Sequence, residues 1–151
     1  MQLNLEFIRL QNGQILKFKV MTQEEKQLLL KVLSTMLPYH VRCKIWLKDG
    51  TIEEGPLDLQ HNYGDVLRDA FYYNKIIDIK PYLRPMSSMT EEEAMEYANC
   101  GNIIANSPQN NYLIPNHNCV DWLNAHHFDY RGLIEKGLAL EAPEGMYNLN
   151  K

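Results

Sequence analysis

The stretch VRCKIWLKDG, residues 41–50, alternates apolar and polar side chains and then ends in a turn dipeptide. A period of two is typical of a β-strand that buries one face, and Asp49-Gly50 is typical of a tight turn. The predicted strand carries Val41, Cys43, Ile45 and Leu47 on one face, and Arg42, Lys44, Trp46 and Lys48 on the other. The pattern therefore predicts a half-buried strand that turns directly into the next one.

Short β-type segments continue beyond this turn. Runs rich in β-branched and aromatic residues occupy residues 51–59, 66–73 and 75–83, which makes the region β-rich. Such strands favour a small, strongly bent antiparallel sheet; an SH3-like barrel and an open sheet both fit this pattern. Pro81 and Pro85 predict that the chain leaves the sheet there as an extended, polyproline-like segment.

A helix is predicted immediately before the β-rich region. Thr22 and Glu25 have the spacing of a capping box, in which each side chain bonds the backbone amide of the other residue. An apolar stripe with helical spacing follows, and Pro38 cannot continue a helix. We therefore expect a helix of about 14 residues within 21–37.

The last third of the chain is predicted to be helical with a long loop. Thr90 and Glu93 repeat the capping-box spacing. Residues 102–118 hold six asparagines and two prolines, which indicates a loop longer than is usual in a compact domain. Asn118 is then expected to cap a last helix that runs to about Phe128.

The N-terminal segment predicts a β-hairpin around Asn12-Gly13, a dipeptide that tolerates the positive φ angles of a type I′ turn. The predicted cross-strand pairs of this two-residue loop are Phe7 with Phe18, Leu5 with Val20 and Glu6 with Lys19. Because apolar residues would then lie on both faces, we expect the hairpin to be covered on both sides or to join a larger sheet.

The chain as a whole predicts one α+β domain with about three helices, since 151 residues fit a single core. The expected parts are a hairpin at 1–20, a helix at 21–37, a β-rich part at 39–85, and a helical and loop part at 87–151.

Charge and cysteine content limit the functional classes. Residues 1–86 carry a net charge of +2 and residues 87–151 one of −6, which argues against a protein that coats duplex nucleic acid. Three cysteines without a C-x-x-C pair predict reduced thiols rather than a disulfide framework or a zinc ribbon. Neither a signal peptide nor a membrane span is visible, so we expect a cytoplasmic protein.

Cysteine and histidine chemistry is the first functional hypothesis. The weak candidates for metal ligands are His117, Cys119, His126 and His127. Cys119 and His126 are separated by about 10 Å of helical rise, and adjacent histidines point about 100° apart, which opposes joint ligation. Cys100 or Cys119 with a histidine base would instead suit a small thiol enzyme. The marked nucleotide-binding and hydrolase motifs are absent from the sequence, so we favour a non-catalytic role without a cofactor.

A single-stranded nucleic-acid surface is the second hypothesis, because alternating basic and aromatic residues suit stacking on bases. Its candidate residues are Arg42, Lys44, Trp46, Lys48, Lys80, Tyr82 and Arg84. The same region holds as many acidic as basic residues, so an ordinary solvated strand face is the competing interpretation.

The stretch NAHHFDYRG, residues 124–132, looks like an active site but is better interpreted as a helix end. Asp129 and Arg131 can bond the local backbone, and Gly132 supplies a turn. Tyr130 and Arg131 are also candidates for protein binding, since Tyr and Arg are frequent interface anchors.

Three long phrases carry a resemblance: MTQEEKQLLLKVLSTMLPY, IKPYLRPMSSMTEEE and WLNAHHFDYRGLIEKGLALEAPEGMY. In these phrases the chain resembles an uncharacterised family of small hypothetical proteins from Bacteroides-type gut bacteria and their phages or prophages. Similar proteins often start near Met21, so the resemblance implies either that the first hairpin is an addition or that residues 1–20 reflect a different start codon. It implies no catalytic or ligand residue, and it favours a small intracellular binding or accessory module that contacts another protein.

Overall fold

The computed structural model describes residues 5–57, 76–102 and 117–148. The strands are β1 (Leu5–Arg9), β2 (Ile15–Lys19), β3 (Arg42–Leu47), β4 (Ile52–Pro56), β5 (Ile76–Leu83) and β6 (Leu140–Glu141). The helices are α1 (Gln23–Met36), α2 (Glu91–Asn102) and α3 (His117–Ala125), with short 3₁₀ turns at Leu37–Tyr39 and Met86–Ser88. The expected strand at 66–73 and most of the expected loop at 102–118 lie outside the described residues. None of the described helices combines the length and the apolar character that a membrane crossing requires.

The main sheet has the strand order β4-β3-β5-β6. Its first three strands are antiparallel, with a register shift between Trp46 and Leu47 that bends the sheet. The two-residue β6 joins the edge of β5 in parallel, which the sequence pattern does not show. The α+β class with three helices is confirmed, and the described strands contain no pairing that closes a barrel.

Strand β5 confirms the strand predicted at 75–83 and continues through Pro81, so the chain does not leave the sheet at this first proline. Pro81 is fully buried and lies opposite Cys43 on β3. The pairing with β6 begins only at Tyr82, so the missing amide of the proline interrupts no bond on that side. The fixed φ of proline is compatible with extended backbone, and burial against β3 then favours the strand over a solvated polyproline segment.

The core lies between one face of the main sheet and α1. Thr22 Oγ1 accepts the Glu25 amide at 3.2 Å, and the Glu25 carboxylate accepts the Thr22 amide at 2.9 Å, which confirms the capping box. The helix buries Leu29, Val32, Leu33 and Met36 against Val41, Cys43, Ile45, Ile79, Leu83, Leu133 and Leu138. The inner face predicted for the central strand is therefore confirmed at its first three positions.

The N-terminal hairpin forms, but its register differs by one residue from the prediction. Its loop has three residues: the Gly13 amide bonds the Leu10 carbonyl at 2.9 Å, and Gly13 has φ +85. Asn12 is not among the described residues with positive φ, so the turn is not of type I′ but a type I turn closed by a glycine bulge. The pairs are Leu5–Lys19, Glu6–Phe18, Phe7–Lys17, Ile8–Leu16 and Arg9–Ile15.

The shifted register decides which side chains of the hairpin are covered. Phe18 packs edge-on against Trp46 with the ring centroids 5.6 Å apart, and Ile8 is buried. Phe7 and Ile15 lie on the opposite face and are 64% and 59% exposed. The hairpin therefore has one covered face and stays a separate two-stranded sheet, against the expectation of cover on both sides.

The last helix also has different limits from the predicted ones. It already includes His117 and Asn118 and ends at Ala125, rather than starting after an Asn118 cap and running to Phe128. Val120 on this helix is 38% exposed. Beyond the helix, Phe128 is fully buried and pairs with Arg84 in an isolated parallel bridge. Because Phe128 forms this pairing with Arg84, the chain does not continue as a helix beyond Ala125.

Candidate functional site

His127 in NAHHFDYRG is a structural side chain. It has φ +59, and its Nε2 donates to the Tyr39 carbonyl at 2.7 Å, because a carbonyl can only accept. The ring stacks on Tyr147 at 3.7 Å, and burial lowers the pKa of His127 to about 4. A neutral histidine held in this way joins the 3₁₀ turn after α1 to the C-terminal segment.

The rest of the same stretch is engaged in local structure. The two oxygens of Asp129 accept the amides of Leu133 and Ile134 at 2.8 and 2.9 Å, which fixes the following turn. Tyr130 is half-buried and donates to the Asn124 side chain at 2.9 Å. The Arg131 guanidinium lies 5.2 Å from the Tyr130 ring centroid. The two protein-binding candidates are therefore partly covered, and their contacts favour a structural role over an exposed epitope.

The metal candidates do not converge. His126 Nδ1 donates to the Trp122 carbonyl at 2.8 Å and its ring stacks on that indole at 3.8 Å, whereas His127 points to Tyr39. His117 is the first residue of α3, and Cys119 follows it on the same helix. Within the described ranges, no three His, Cys, Asp or Glu side chains lie close enough to hold one ion. The geometry thus gives the metal hypothesis no support.

The nucleic-acid candidates are only partly brought together. Lys44 and Lys80 lie opposite each other on β3 and β5, with their Nζ atoms 5.5 and 6.0 Å from the Trp46 ring centroid. However, Trp46 is only 8% exposed because Phe18 covers it. A base needs an open aromatic face for stacking, so this arrangement does not favour the hypothesis.

The remaining nucleic-acid candidates are dispersed. Arg42 and Tyr82 continue the same sheet, where burial and the nearby Glu54 carboxylate raise the pKa of Tyr82. Lys48 is exposed in the turn after β3, and Arg84 pairs with an acid elsewhere. The basic set therefore does not form one cationic track.

A groove of about 820 Å³ lies between α2, the end of α3 and the segment after β6. We call it the acidic groove. The carboxylates along its walls are Glu92, Glu93, Glu96, Glu141 and Glu144. Pro85, Ala142, Pro143 and Tyr147 provide apolar surface between them. Its size is that of a binding site for a small molecule or for a few side chains of a partner.

Arg84 is the cation beside these carboxylates, and its charge is already engaged. Its two terminal nitrogens each donate to Glu93 at 2.8 Å, and its guanidinium lies 4.2 Å above the Phe128 ring. The hydrogen bonds from Arg84 lower the pKa of Glu93 to about 2. The Glu93 carboxylate also accepts the Thr90 amide at 2.9 Å, which confirms the second capping box. The remaining carboxylates give the groove a negative character.

His126 and Trp122 connect the groove to the body of the protein. The Trp122 indole donates to Glu96 at 3.2 Å, and its ring stacks with Phe128 at 5.7 Å. His126 lies at the groove wall with its Nδ1 engaged by the backbone. These contacts position Glu96, and the Ser88 hydroxyl in the groove donates to the Pro85 carbonyl rather than to a base.

Sequence reasoning missed the acidic groove because its walls come from segments about 50 residues apart. The available signal was the net charge of −6 over residues 87–151. Charge excess alone does not say which residues the fold brings together. No family model, curated protein or solved structure matches the chain.

Proposed function

We propose that the protein is a non-catalytic binding module that receives a cationic segment of a partner protein in the acidic groove. The observation that supports this proposal is the set of five carboxylates around one concavity, with the single arginine there already paired. A lysine or arginine side chain entering the groove would find several carboxylates within its reach. Such pairing gives specificity and rapid association more than raw affinity.

The groove, the face around Trp46 and the cysteines together rank the two alternative functions. Phosphates would be repelled by the groove, and the face around Trp46 lacks an open ring for stacking. The thiol-enzyme hypothesis, on Cys100 or Cys119, needs an activated nucleophile beside a base, and burial and the neighbouring Cys100 raise the pKa of Cys119 instead of lowering it. Single-stranded nucleic-acid binding and Cys/His chemistry thus remain the second and third hypotheses.

We further propose a cytoplasmic accessory role, connected with a phage or another mobile element. This part rests on the resemblance in the three phrases quoted above, together with the absence from the described residues of a helix that could cross a membrane. The partner in this proposal is another protein of the same cell.

Calorimetric titration with a short, capped, lysine-rich peptide tests the proposal. We expect binding that weakens as salt is added, since exposed charges are screened. The double variant Glu92→Gln with Glu144→Gln should weaken it by about two- to thirtyfold, because each exposed charge pair contributes about 0.2–1 kcal/mol. Both residues are exposed groove glutamates.

The matched control is Glu24→Gln with Glu53→Gln. These glutamates are equally exposed and lie outside the groove, and Glu24 is the second residue of α1 as Glu92 is of α2. The control should bind like the original protein. Equal weakening in both double variants would reduce the effect to overall net charge and overturn the proposal.

A short oligothymidylate titrated in the same buffer tests the second hypothesis. We expect no binding. Binding that is lost on combining Lys44→Ala with Trp46→Ala would replace the groove proposal with a nucleic-acid function on the sheet face.

A further inference from the structure

Helices α2 and α3 pack against each other, and two contacts show which of their residues lie at the same level. The Trp122 indole of α3 donates to Glu96 of α2 at 3.2 Å. The same ring lies 5.7 Å from the ring of Tyr97, the next residue of α2. The level of Trp122 on α3 therefore corresponds to residues 96 and 97 on α2.

One helical turn from this level, the register brings two cysteines together. Cys100 lies three residues beyond Tyr97, and Cys119 lies three residues before Trp122. Each step covers about 4.5 Å along its helix. Burial and the neighbouring Cys100 thiol raise the pKa of Cys119, which places the two thiols beside each other and the helices in opposite directions. Both cysteines are half-buried rather than enclosed.

We propose that Cys100 and Cys119 are a reversible redox site, whose thiols are converted to an intramolecular disulfide by a small disulfide oxidant such as glutathione disulfide. The bond would covalently join α2 to α3. It would also hold the helix that carries three of the five groove carboxylates. The site does not depend on the proposed binding function.

The exchange balances without a metal or a further oxidant. The Cys100 thiolate attacks one sulfur of glutathione disulfide, forming a mixed disulfide and releasing one glutathione thiolate. Cys119 then transfers its proton to solvent and attacks the Cys100 sulfur, which releases the second glutathione. Two protein thiols are oxidised to one disulfide, and glutathione disulfide is reduced to two thiols.

The order of attack follows from the thiol environment. Burial and the neighbouring Cys100 raise the pKa of Cys119, which disfavours Cys119 as the attacking thiolate, so we assign it as the second, resolving thiol. Cys43 lies in the core, where burial raises its pKa to about 12. It therefore serves as an internal control that should not react in the folded protein.

The test is mass spectrometry after incubation of the folded protein with glutathione disulfide and rapid alkylation. We expect an intact mass lower by two hydrogens, with no retained glutathione. Chymotrypsin, which cleaves after Tyr112 between the two cysteines, should give two peptides joined until dithiothreitol is added. Cys119→Ser should retain one glutathione on Cys100, while Cys43→Ser should behave like the original protein.

Two results would overturn the proposal. One is separate glutathione adducts on Cys100 and Cys119 of the original protein, because adjacent thiols would resolve such adducts. The other is a disulfide that involves Cys43 or joins two protein molecules in dilute solution, because the geometry assigns the bond to α2 and α3 of one chain.

Discussion

At the residue scale, Asp78 is a carboxylate that the fold places in an unfavourable environment. It lies opposite Trp46 on the sheet face covered by the hairpin, with 9% of its surface exposed. Burial raises its pKa to about 6, although Lys80 Nζ at 3.8 Å acts in the other direction. In the folded protein Asp78 therefore takes up a proton more readily than it does in the unfolded chain.

Asp78→Asn is expected to raise the free energy of unfolding at pH 7 by roughly 1–2 kcal/mol. The folded pKa lies above the ordinary value of 3.8, so the original protein loses stability as pH rises from about 4 to about 6. The gain should disappear near pH 4, and urea unfolding at both pH values measures it. The exposed Asp121→Asn is the control, and a gain that is equal at both pH values would contradict the account.

His127 is expected to give a pH dependence of the opposite sign. Its pKa of about 4 lies below the ordinary 6.5, so its contribution to stability is present above pH 6.5 and is lost as pH falls towards 4. We expect His127→Asn to flatten this slope and to lower stability at pH 7 by about 2 kcal/mol through the lost stacking. Asn tolerates the positive φ at this position.

The measurement for His127 is the urea midpoint at several pH values between 4 and 7. Combining His127→Asn with Asp78→Asn separates the two slopes, which partly cancel in the original protein. If the urea midpoint of His127→Asn falls between pH 6.5 and pH 4 as steeply as that of the original protein, His127 is not a buried neutral ring.

At the element scale, the observed register of the hairpin makes its two phenylalanines unequal. Phe18→Ala should cost about 1–2 kcal/mol because it removes the contact with Trp46. Phe7→Ala should change stability by less than about 0.5 kcal/mol, since this side chain is 64% exposed. Denaturant unfolding of the two variants decides between the registers. Comparable losses would favour the register that pairs Phe7 with Phe18.

The starts of α1 and α2 were predictable because their determinants are local. Thr22 with Glu25 and Thr90 with Glu93 lie three residues apart, and both capping boxes form. The hairpin register was not predictable, because Gly13 with positive φ fits both a two-residue and a three-residue loop. The three-residue loop forms, and in this register Phe18 packs on Trp46.

The course of the chain at Pro81 in β5 and after the last helix was likewise not predictable from the local sequence. Pro81 was expected to lead out of the sheet, but it stays within β5, whose pairing with β6 begins one residue later. Phe128 leaves the expected helix to pair with Arg84. Both outcomes depend on a partner segment that is distant in sequence.

At the scale of the whole molecule, the sequence predicts the α+β class but not the acidic groove. The bidentate contact between Arg84 and Glu93 brings the end of β5 to the start of α2. The segment 141–147 then closes the other wall. The acidic charge of residues 87–151 was visible in the sequence, whereas its convergence required the tertiary fold.

The most direct measurement of the central claim is a nitrogen-15 NMR titration with the lysine-rich peptide. The account predicts that amide shifts change most at residues 92–96, 126 and 141–147, and that Glu92→Gln with Glu144→Gln reduces these changes. Changes concentrated around Trp46, on the hairpin, or spread evenly over exposed acids would contradict binding in the acidic groove.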